Sequence, residues 1–306
     1  MDDDALARAA RARYAVGERL ELVRRGENST YRAGDVALRV HRPGYRTRDM
    51  IRSELAWMEA LRDAGIATPR VVPARDGDVV VDLPGGRHAS ALTWEKGAPL
   101  AESPAMGDWR DLGRLMAEVH LHGASWTPPA WFVRPAWDRE GMVGAAPHWG
   151  DPVALGTWDG GTRDLLVAVR ERVRDRLTDF GTDAGRYGLV HADLAFGNVL
   201  RRDGAAPVVI DFDDCGWSWY LWELAVVLAP FDGTAGYAPR RDALVEGYRA
   251  RRALPAEDLL ELPTFVMARR LVTLGWVFTR ADTAHAASQR EQRIASFPAA
   301  ALRYLA

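Results

Sequence analysis

The chain has one cysteine, Cys215, and one lysine, Lys96, so all but one of its 40 basic residues are arginine. A lone cysteine excludes an internal disulfide and a multi-cysteine zinc site, and it fits a reducing compartment. An excess of one charge sign is also missing. The 40 basic and 42 acidic side chains leave a formal net charge of −2, which gives a nucleic-acid backbone nothing to bind. No apolar run approaches the ~20 residues of a membrane span. The opening Met1-Asp2-Asp3-Asp4-Ala5-Leu6 is charged where a secretory leader needs apolar residues. The expectation is a cytoplasmic protein with neither nucleic-acid nor membrane partners; its oligomeric state is not legible. What the chain does have is 306 residues that are 48% apolar, ample for a sizeable core.

The first part reads as mainly β with one helix. Extended segments at 20–24, 31–33 and 36–40 flank a polar turn, Gly26-Glu27-Asn28-Ser29-Thr30. From Thr47 to Asp63 the period changes: Ile51, Leu55, Met58 and Leu61 recur at helical spacing before Gly65. Strands return between Val71 and Leu83. Beyond Gly97 the pattern is mainly helical, with faces at Leu112, Leu115, Met116 and Val119 and at Leu166, Val169, Val173 and Leu177. A loop-rich stretch from Ser125 to Asp159 holds five tryptophans, too aromatic for a disordered linker and suited to core filling or to walling a ligand pocket. A short β insert spans 189–212, and helices follow from Trp219. The division expected is a β-rich lobe, 1–95, and a larger helical lobe, 96–306.

The strongest chemical signal is His191-Ala-Asp193-Leu-Ala-Phe-Gly-Asn198, followed by Ile210-Asp211-Phe-Asp213-Asp214 at the end of a short apolar strand. Phosphoryl transfer needs a carboxylate near the acceptor hydroxyl and oxygen donors for Mg²⁺ on the nucleotide phosphates. Asp193 suits the first task. Asn198, a neutral amide oxygen, and Asp211, a carboxylate, suit the second, being hard ligands of the kind Mg²⁺ prefers. The competing reading is a turn built by Asp and Asn through local hydrogen bonds.

With these motifs the chain resembles the aminoglycoside phosphotransferase and choline kinase superfamily, small-molecule relatives of the protein kinases. The resemblance follows the order of elements over nearly the whole chain, while its specific motifs occupy 191–214. It implies an α+β, two-lobed kinase-like fold, with ATP and Mg²⁺ as cofactors and a small-molecule hydroxyl as acceptor. It assigns His191 and Glu223 to bracing the catalytic loop, Glu223 standing where relatives often have aspartate; a helix N-terminal acid favoured by the dipole is the other reading of Glu223, and the two are compatible.

Glu54 shares the inward arc of its helix with Ile51, Leu55 and Met58, and a buried carboxylate needs a cation. The resemblance supplies one from the strand Val36-Ala-Leu-Arg39-Val40, where Arg39 stands in place of the usual lysine. Arginine keeps the charge but is longer, planar and bidentate. Asn28, Ser29 and Thr30 take the place of a phosphate-covering loop, although a plain hairpin turn reads equally well. Thr93 and Trp94 fall at the interlobe connection, where family members bind adenine through the backbone. His120 and His122, two apart on a helix, point to different sides and make no metal pair.

Three functions compete. The first is an ATP-dependent phosphotransferase whose acceptor is an aminoglycoside, an amino alcohol or a homoserine-like molecule. The second is a non-catalytic nucleotide-binding module, suggested by Arg39. The third is a protein kinase, disfavoured because no Asp-Phe-Gly or Ala-Pro-Glu marker brackets an activation segment.

Overall fold

The computed structural model describes residues 2–17, 19–100, 104–202 and 204–306. The chain forms two units: residues 1–101, 126–134 and 197–213 make the first, and 102–125, 135–196 and 214–306 the second. The first unit thus takes in two later segments beside the N-terminal residues that the sequence groups together.

The first unit is built on a five-stranded antiparallel sheet ordered β1-β2-β3-β5-β4. Its strands are β1 (Glu21–Arg25), β2 (Asn28–Ala33), β3 (Val36–His41), β4 (Val80–Leu83) and β5 (Arg87–Thr93). The sequence anticipates one helix here, and the structure has two. Helix α1 (Asp3–Arg13) packs Leu6, Ala7 and Ala10 with Tyr14 into a cluster with Tyr31, Leu38, Val40, Ala89 and Ala91 of the sheet. Small alanines on its inner face let it lie close to the strands, and they also give it a faint apolar signature. Helix α2 (Arg48–Asp63) starts where expected: the Thr47 hydroxyl accepts from the Met50 amide, meeting one of the orphan donors of the first turn. A second, three-stranded sheet, β10-β9-β6, joins β6 (Ala98–Pro99), β9 (Val199–Arg202) and β10 (Ala205–Val209).

The turn expected at 26–30 is also shorter than the sequence suggests. The Gly26 amide bonds the Asn28 carbonyl at 3.0 Å, and Asn28, Ser29 and Thr30 already belong to β2.

The second unit is helical around a small sheet, β7-β11-β8, in which β11 (Gly216–Trp219) runs parallel to β7 (Ala136–Trp137) and antiparallel to β8 (Tyr187–Val190). Its helices are α3 (Met106–Ser125), α4 (Arg139–Val143), α5 (Pro152–Leu155), α6 (Gly160–Phe180), α7 (Tyr220–Leu228), α8 (Tyr237–Arg249), α9 (Ala256–Leu259), α10 (Leu262–Thr279) and α11 (Ala284–Leu305). Of the five tryptophans in the stretch 125–159, Trp137 and Trp149 are buried in this core and Trp158 is half-buried, whereas Trp126 and Trp131 belong to the first unit, with Trp131 exposed. Trp137 is buried, donates from Nε1 to the Asp214 carbonyl at 2.7 Å, and stacks on Trp222 with ring centroids 6.0 Å apart. Helices α3 and α8 meet backbone to backbone: a Cβ at Gly113 would lie 2.1 Å from the Leu244 carbonyl oxygen, and one at Gly247 1.9 Å from that of Arg110. Near its end α3 rests on β8, where a Cβ at Gly123 would lie 2.3 Å from the Leu189 oxygen.

Among the described residues, no helix is long and apolar enough to cross a membrane.

Candidate active site

The residues singled out from the sequence divide between the units. In the first, β3 and α2 bring Arg39 and Glu54 together: Arg39 Nη1 donates to Glu54 Oε1 at 2.5 Å, with Arg39 only 6% and Glu54 0% exposed. A third member, Asp213, is not anticipated by the sequence. Its Oδ1 lies 3.4 Å from Arg39 Nη2, so one guanidinium faces two buried carboxylates, which a single ammonium point charge reproduces poorly. The backbone around Asp213 is held from two sides. Arg46 Nε donates to its carbonyl at 2.9 Å and Arg134 Nη2 at 2.5 Å, while Arg134 Nη1 reaches the Met50 carbonyl on α2.

Burial opposes the charge on Asp213, but Arg39 first, then Arg46, His41 and Arg134, outweigh it and hold its pKa below the usual carboxylate value. Burial lifts Glu54 and Arg39 pulls it back. His41, at the end of β3, is pushed down to about 3, chiefly by burial and then by Arg39; it is a neutral ring that meets Ser90 Oγ at 2.9 Å. Both carboxylate oxygens of Asp213, Arg39 Nη2 and Glu54 Oε2 are buried without a hydrogen-bond partner. The cluster is therefore balanced by charge more than by hydrogen bonds.

Asn198 and Asp211 also belong to this unit. The Ile210 amide donates to the Asn198 carbonyl at 2.9 Å, tying the chain just before Asp211 to Asn198. Asp211 is exposed and Asn198 half-buried. Asp211 has φ 65°, a left-handed conformation uncommon outside glycine but more accessible to Asp than to most residues. An amide and a carboxylate oxygen fit a hard divalent cation. Among the described residues, no group of three or more His, Cys, Asp or Glu could hold a metal ion.

Of the proposed loop residues, Ser29 is buried and donates to Asp3 of α1, and Asn28 and Thr30 are half-buried strand positions. At the connection, the Thr93 amide donates to the Arg70 carbonyl and the Trp94 amide to the Asp35 carbonyl, at 2.9 and 2.8 Å. The structure thus commits both amides within the unit.

In the second unit β8 leads directly into the His191–Asp193 half of the motif. The Glu223 carboxylate, fully buried in the first turn of α7, accepts from both neighbours of Asp193: the Leu194 amide at 2.9 Å and the Ala192 amide at 3.1 Å. Burial opposes its ionisation, yet His120, His191 and the Leu194 amide keep its pKa lowered. His120 is buried beneath it, with Nε2 3.6 Å from Glu223 Oε2 and Nδ1 bonded to Tyr248 at 2.9 Å, while burial lowers its own pKa. His191, likewise buried, accepts at Nδ1 from the Asp193 amide at 3.3 Å. Between them Ala192 takes φ 67°, a conformation costly for alanine that the surrounding bonds enforce.

Asp193 itself is about one-third exposed, at 32%, and accepts from Arg269 Nη2 on α10 at 2.7 Å. Partial burial raises its pKa while Arg269 pulls it down. Arg269 lies over the rings of Trp149 and Trp222, 5.3 and 5.5 Å from their centroids, so its position is fixed from below. Nothing in the sequence points to Arg269; an arginine on a C-terminal helix looks like any other of an arginine-rich chain.

A model of the phosphotransferase enzyme family matches residues 20–260. The chain belongs to that family. Among solved structures it is similar to a microcompartment-associated aminopropanol kinase, 37% identical, covering 99% of this chain and 98% of that one with a TM-score of 0.88. Among curated proteins it is 24% identical to amicoumacin kinase of Bacillus subtilis (strain 168), over 97% of this chain and 90% of the relative. It is 29% identical to homoserine kinase of Gluconacetobacter diazotrophicus, over 69% of this chain and 65% of that one. With the family come the kinase-like fold, a β-rich N-terminal part before a helical C-terminal part, and the activity class. This phosphotransferase is an ATP-dependent enzyme acting on a small-molecule hydroxyl.

Proposed function

We propose that the enzyme transfers the γ-phosphoryl group of Mg-ATP to a small acceptor carrying a hydroxyl and an amine a few atoms apart. The observation that carries this is the setting of Asp193: both flanking amides are fixed on Glu223, its side chain is held by Arg269, and its carboxylate is still partly exposed. Such a group orients an acceptor hydroxyl. The loose transition state of phosphoryl transfer asks little of a base, and an ion-paired aspartate is a weak one. The acceptor oxygen forms its bond to the γ-phosphorus as the bond to the ADP oxygen breaks, and the hydroxyl proton passes late to Asp193 and then to solvent.

The first unit serves the nucleotide in this reading. Asn198 and Asp211 would hold Mg²⁺, which would supply neutralisation of the phosphate charge. Arg39 holds Glu54 and Asp213 in place on the nucleotide side. The amine on the acceptor is supported by the similarity to aminopropanol kinase over nearly the whole chain.

ADP release measured across hydroxylated amines, sugars and antibiotics tests the proposal. Turnover of short amino alcohols that Asp193→Asn abolishes agrees with it. Tight Mg-ATP binding with no release above the slow transfer to water, unchanged in Asp193→Asn, replaces it with a nucleotide-binding module.

A further inference from the structure

Phosphoryl transfer spreads negative charge over the three equatorial oxygens of the moving group, and a cation beside them lowers the barrier. The segment around Asp193 supplies none: from His191 to Leu200 there is no lysine or arginine. Arg39 is committed elsewhere, with Nη1 on Glu54 and Nη2 facing Asp213. Arg46 and Arg134 hold the Asp213 carbonyl. Among the described residues, the guanidinium hydrogen-bonded to Asp193 is that of Arg269 on α10, whose Nη2 lies 2.7 Å from Asp193 Oδ1.

That contact is end-on. Nη2 makes the one hydrogen bond of the Arg269 side chain among the described residues, while Nε and Nη1 make none. An ion pair serving only to anchor Asp193 would gain from the bidentate form that arginine offers a carboxylate. Instead the side chain, 12% exposed, lies over the rings of Trp149 and Trp222. Those rings are themselves packed on Trp137, with Trp149 edge-on at 5.1 Å and Trp222 stacked at 6.0 Å. Three tryptophans thus fix the guanidinium while two of its nitrogens stay uncommitted. A donor held in place before charge develops costs no reorganisation at the moment of reaction.

Distances set the reach. An acceptor hydroxyl oriented by Asp193 sits about 2.6–3.2 Å from the carboxylate, and its phosphorus about 3–3.5 Å beyond. The equatorial oxygens then fall roughly one further hydrogen bond from a guanidinium already on Asp193.

We propose that Arg269 is a catalytic residue: Nη1 or Nε donates to an equatorial oxygen of the γ-phosphoryl group during transfer, while Nη2 keeps Asp193 on the acceptor hydroxyl. The proposal rests on the phosphotransferase reading of Asp193 and adds the cation that reading lacks. As the bond from the acceptor oxygen to phosphorus forms and the bond from phosphorus to the ADP oxygen breaks, Arg269 meets the charge on the equatorial oxygens. The hydroxyl proton passes to Asp193, and Arg269 keeps its own protons throughout.

The complex of Mg-ADP with aluminium fluoride mimics the moving phosphoryl group. Its affinity, and ADP release with 1-aminopropan-2-ol as probe acceptor, would be measured in the wild type, Arg269→Gln, Arg269→Lys and Asp193→Asn. Aluminium fluoride should tighten ADP binding to the wild type by about 10²-fold or more, as a transition-state analogue does. That tightening should survive in Asp193→Asn, be lost in Arg269→Gln and return in part in Arg269→Lys. Binding of Mg-ADP alone should stay near the wild-type value in each, which also shows that the variants are folded. In turnover Arg269→Gln should lower kcat by about 10²- to 10³-fold with little change in KM for ATP.

A merely structural ion pair gives another pattern. Arg269→Gln then keeps the aluminium fluoride effect and slows transfer only by misplacing Asp193, so that adding it to Asp193→Asn slows nothing further. Either result overturns the proposal, as does a rise in KM for the acceptor with kcat intact. A wild type that binds Mg-ADP, gains nothing from aluminium fluoride and transfers no phosphate fails the phosphotransferase reading, and the proposal falls with it. A wild type that transfers phosphate while Arg269→Gln keeps the tightening fails the proposal alone.

Discussion

Glu54 and Glu223 are both fully buried acids, one in each unit, and they are kept there by different means. Glu54 faces a guanidinium that it shares with Asp213, with one of its oxygens lacking a hydrogen bond. Glu223 spends its two oxygens on two backbone amides of one loop. The first arrangement is a balance of whole charges and fails when one is removed; the second is a template for backbone geometry and loosens when an oxygen is lost. In the proposed reading, in which the first unit serves the nucleotide and Asp193 the acceptor, the enzyme has use for both.

The largest effect expected is at the residue the second arrangement serves. Asp193→Asn keeps size and polarity but loses the charge that orients the hydroxyl and takes its proton late, and transfer should fall by roughly 10² to 10⁴, with nucleotide affinity near the wild-type value. A comparable loss of nucleotide binding would show that the two regions do not divide the work.

Next comes Arg39→Ala. It takes from Glu54 its hydrogen-bonded guanidinium and leaves Asp213 to the more distant charges of Arg46 and Arg134, which should cost about 3–5 kcal/mol of stability in urea unfolding, beyond any effect on ATP affinity. Arg39→Lys, able to serve one carboxylate well, should cost less. Equal losses in the two variants would mean that Arg39 acts as a simple charge.

Glu223→Gln keeps one acceptor oxygen and turns an NH₂ group toward the other loop amide. A penalty of about 1–3 kcal/mol follows, accompanied by a fall in kcat without a matching rise in KM for ATP. Unaltered turnover would break the template reading.

The smallest effect concerns acid. His41 has its folded pKa at about 3, far below the ordinary ~6.5 of the unfolded chain. Its contribution is fully present above pH 6.5 and is lost as pH falls toward 3, because the unfolded chain takes the proton first. His120, also lowered, acts in the same direction, and Glu223 joins below its unfolded value of 4.5. Urea midpoints at pH 6.5 and 5 should therefore drop, and His41→Gln should remove about 1.5 kcal/mol of that drop. A drop of the same size in the variant would discharge His41.

Much of this was legible in the chain itself. The α2 boundaries follow from the Thr47 cap and a clean helical period, and the Asp193 and Asp211 motifs from fixed offsets. Helix α1 was not legible, since two of its three buried helical positions are alanine; without it Asp3 could not be seen as the partner of Ser29, and the strand start at Asn28 read as turn. Asp213 stood in view but had no stated partner until β3 and α2 placed Arg39 beside it. Arg269 was hidden by abundance: in a chain with 40 basic residues, one arginine 76 positions from its aspartate leaves no local pattern.

The glycines of α3 and α8 carry a consequence for anyone who diversifies this enzyme. Gly113 and Gly247 each press on the other helix's backbone, and Gly123 carries α3 onto Leu189, two residues before His191 and four before Asp193. A single methyl at any of the three meets a carbonyl oxygen that cannot rotate away. The helix would have to translate, and the loop at its far end would move with it. Random libraries should accordingly return almost no survivors at positions 113, 123 and 247, although none bears a functional group. Acceptor range would be broadened most safely by leaving that seam untouched and varying α10 around Arg269 instead.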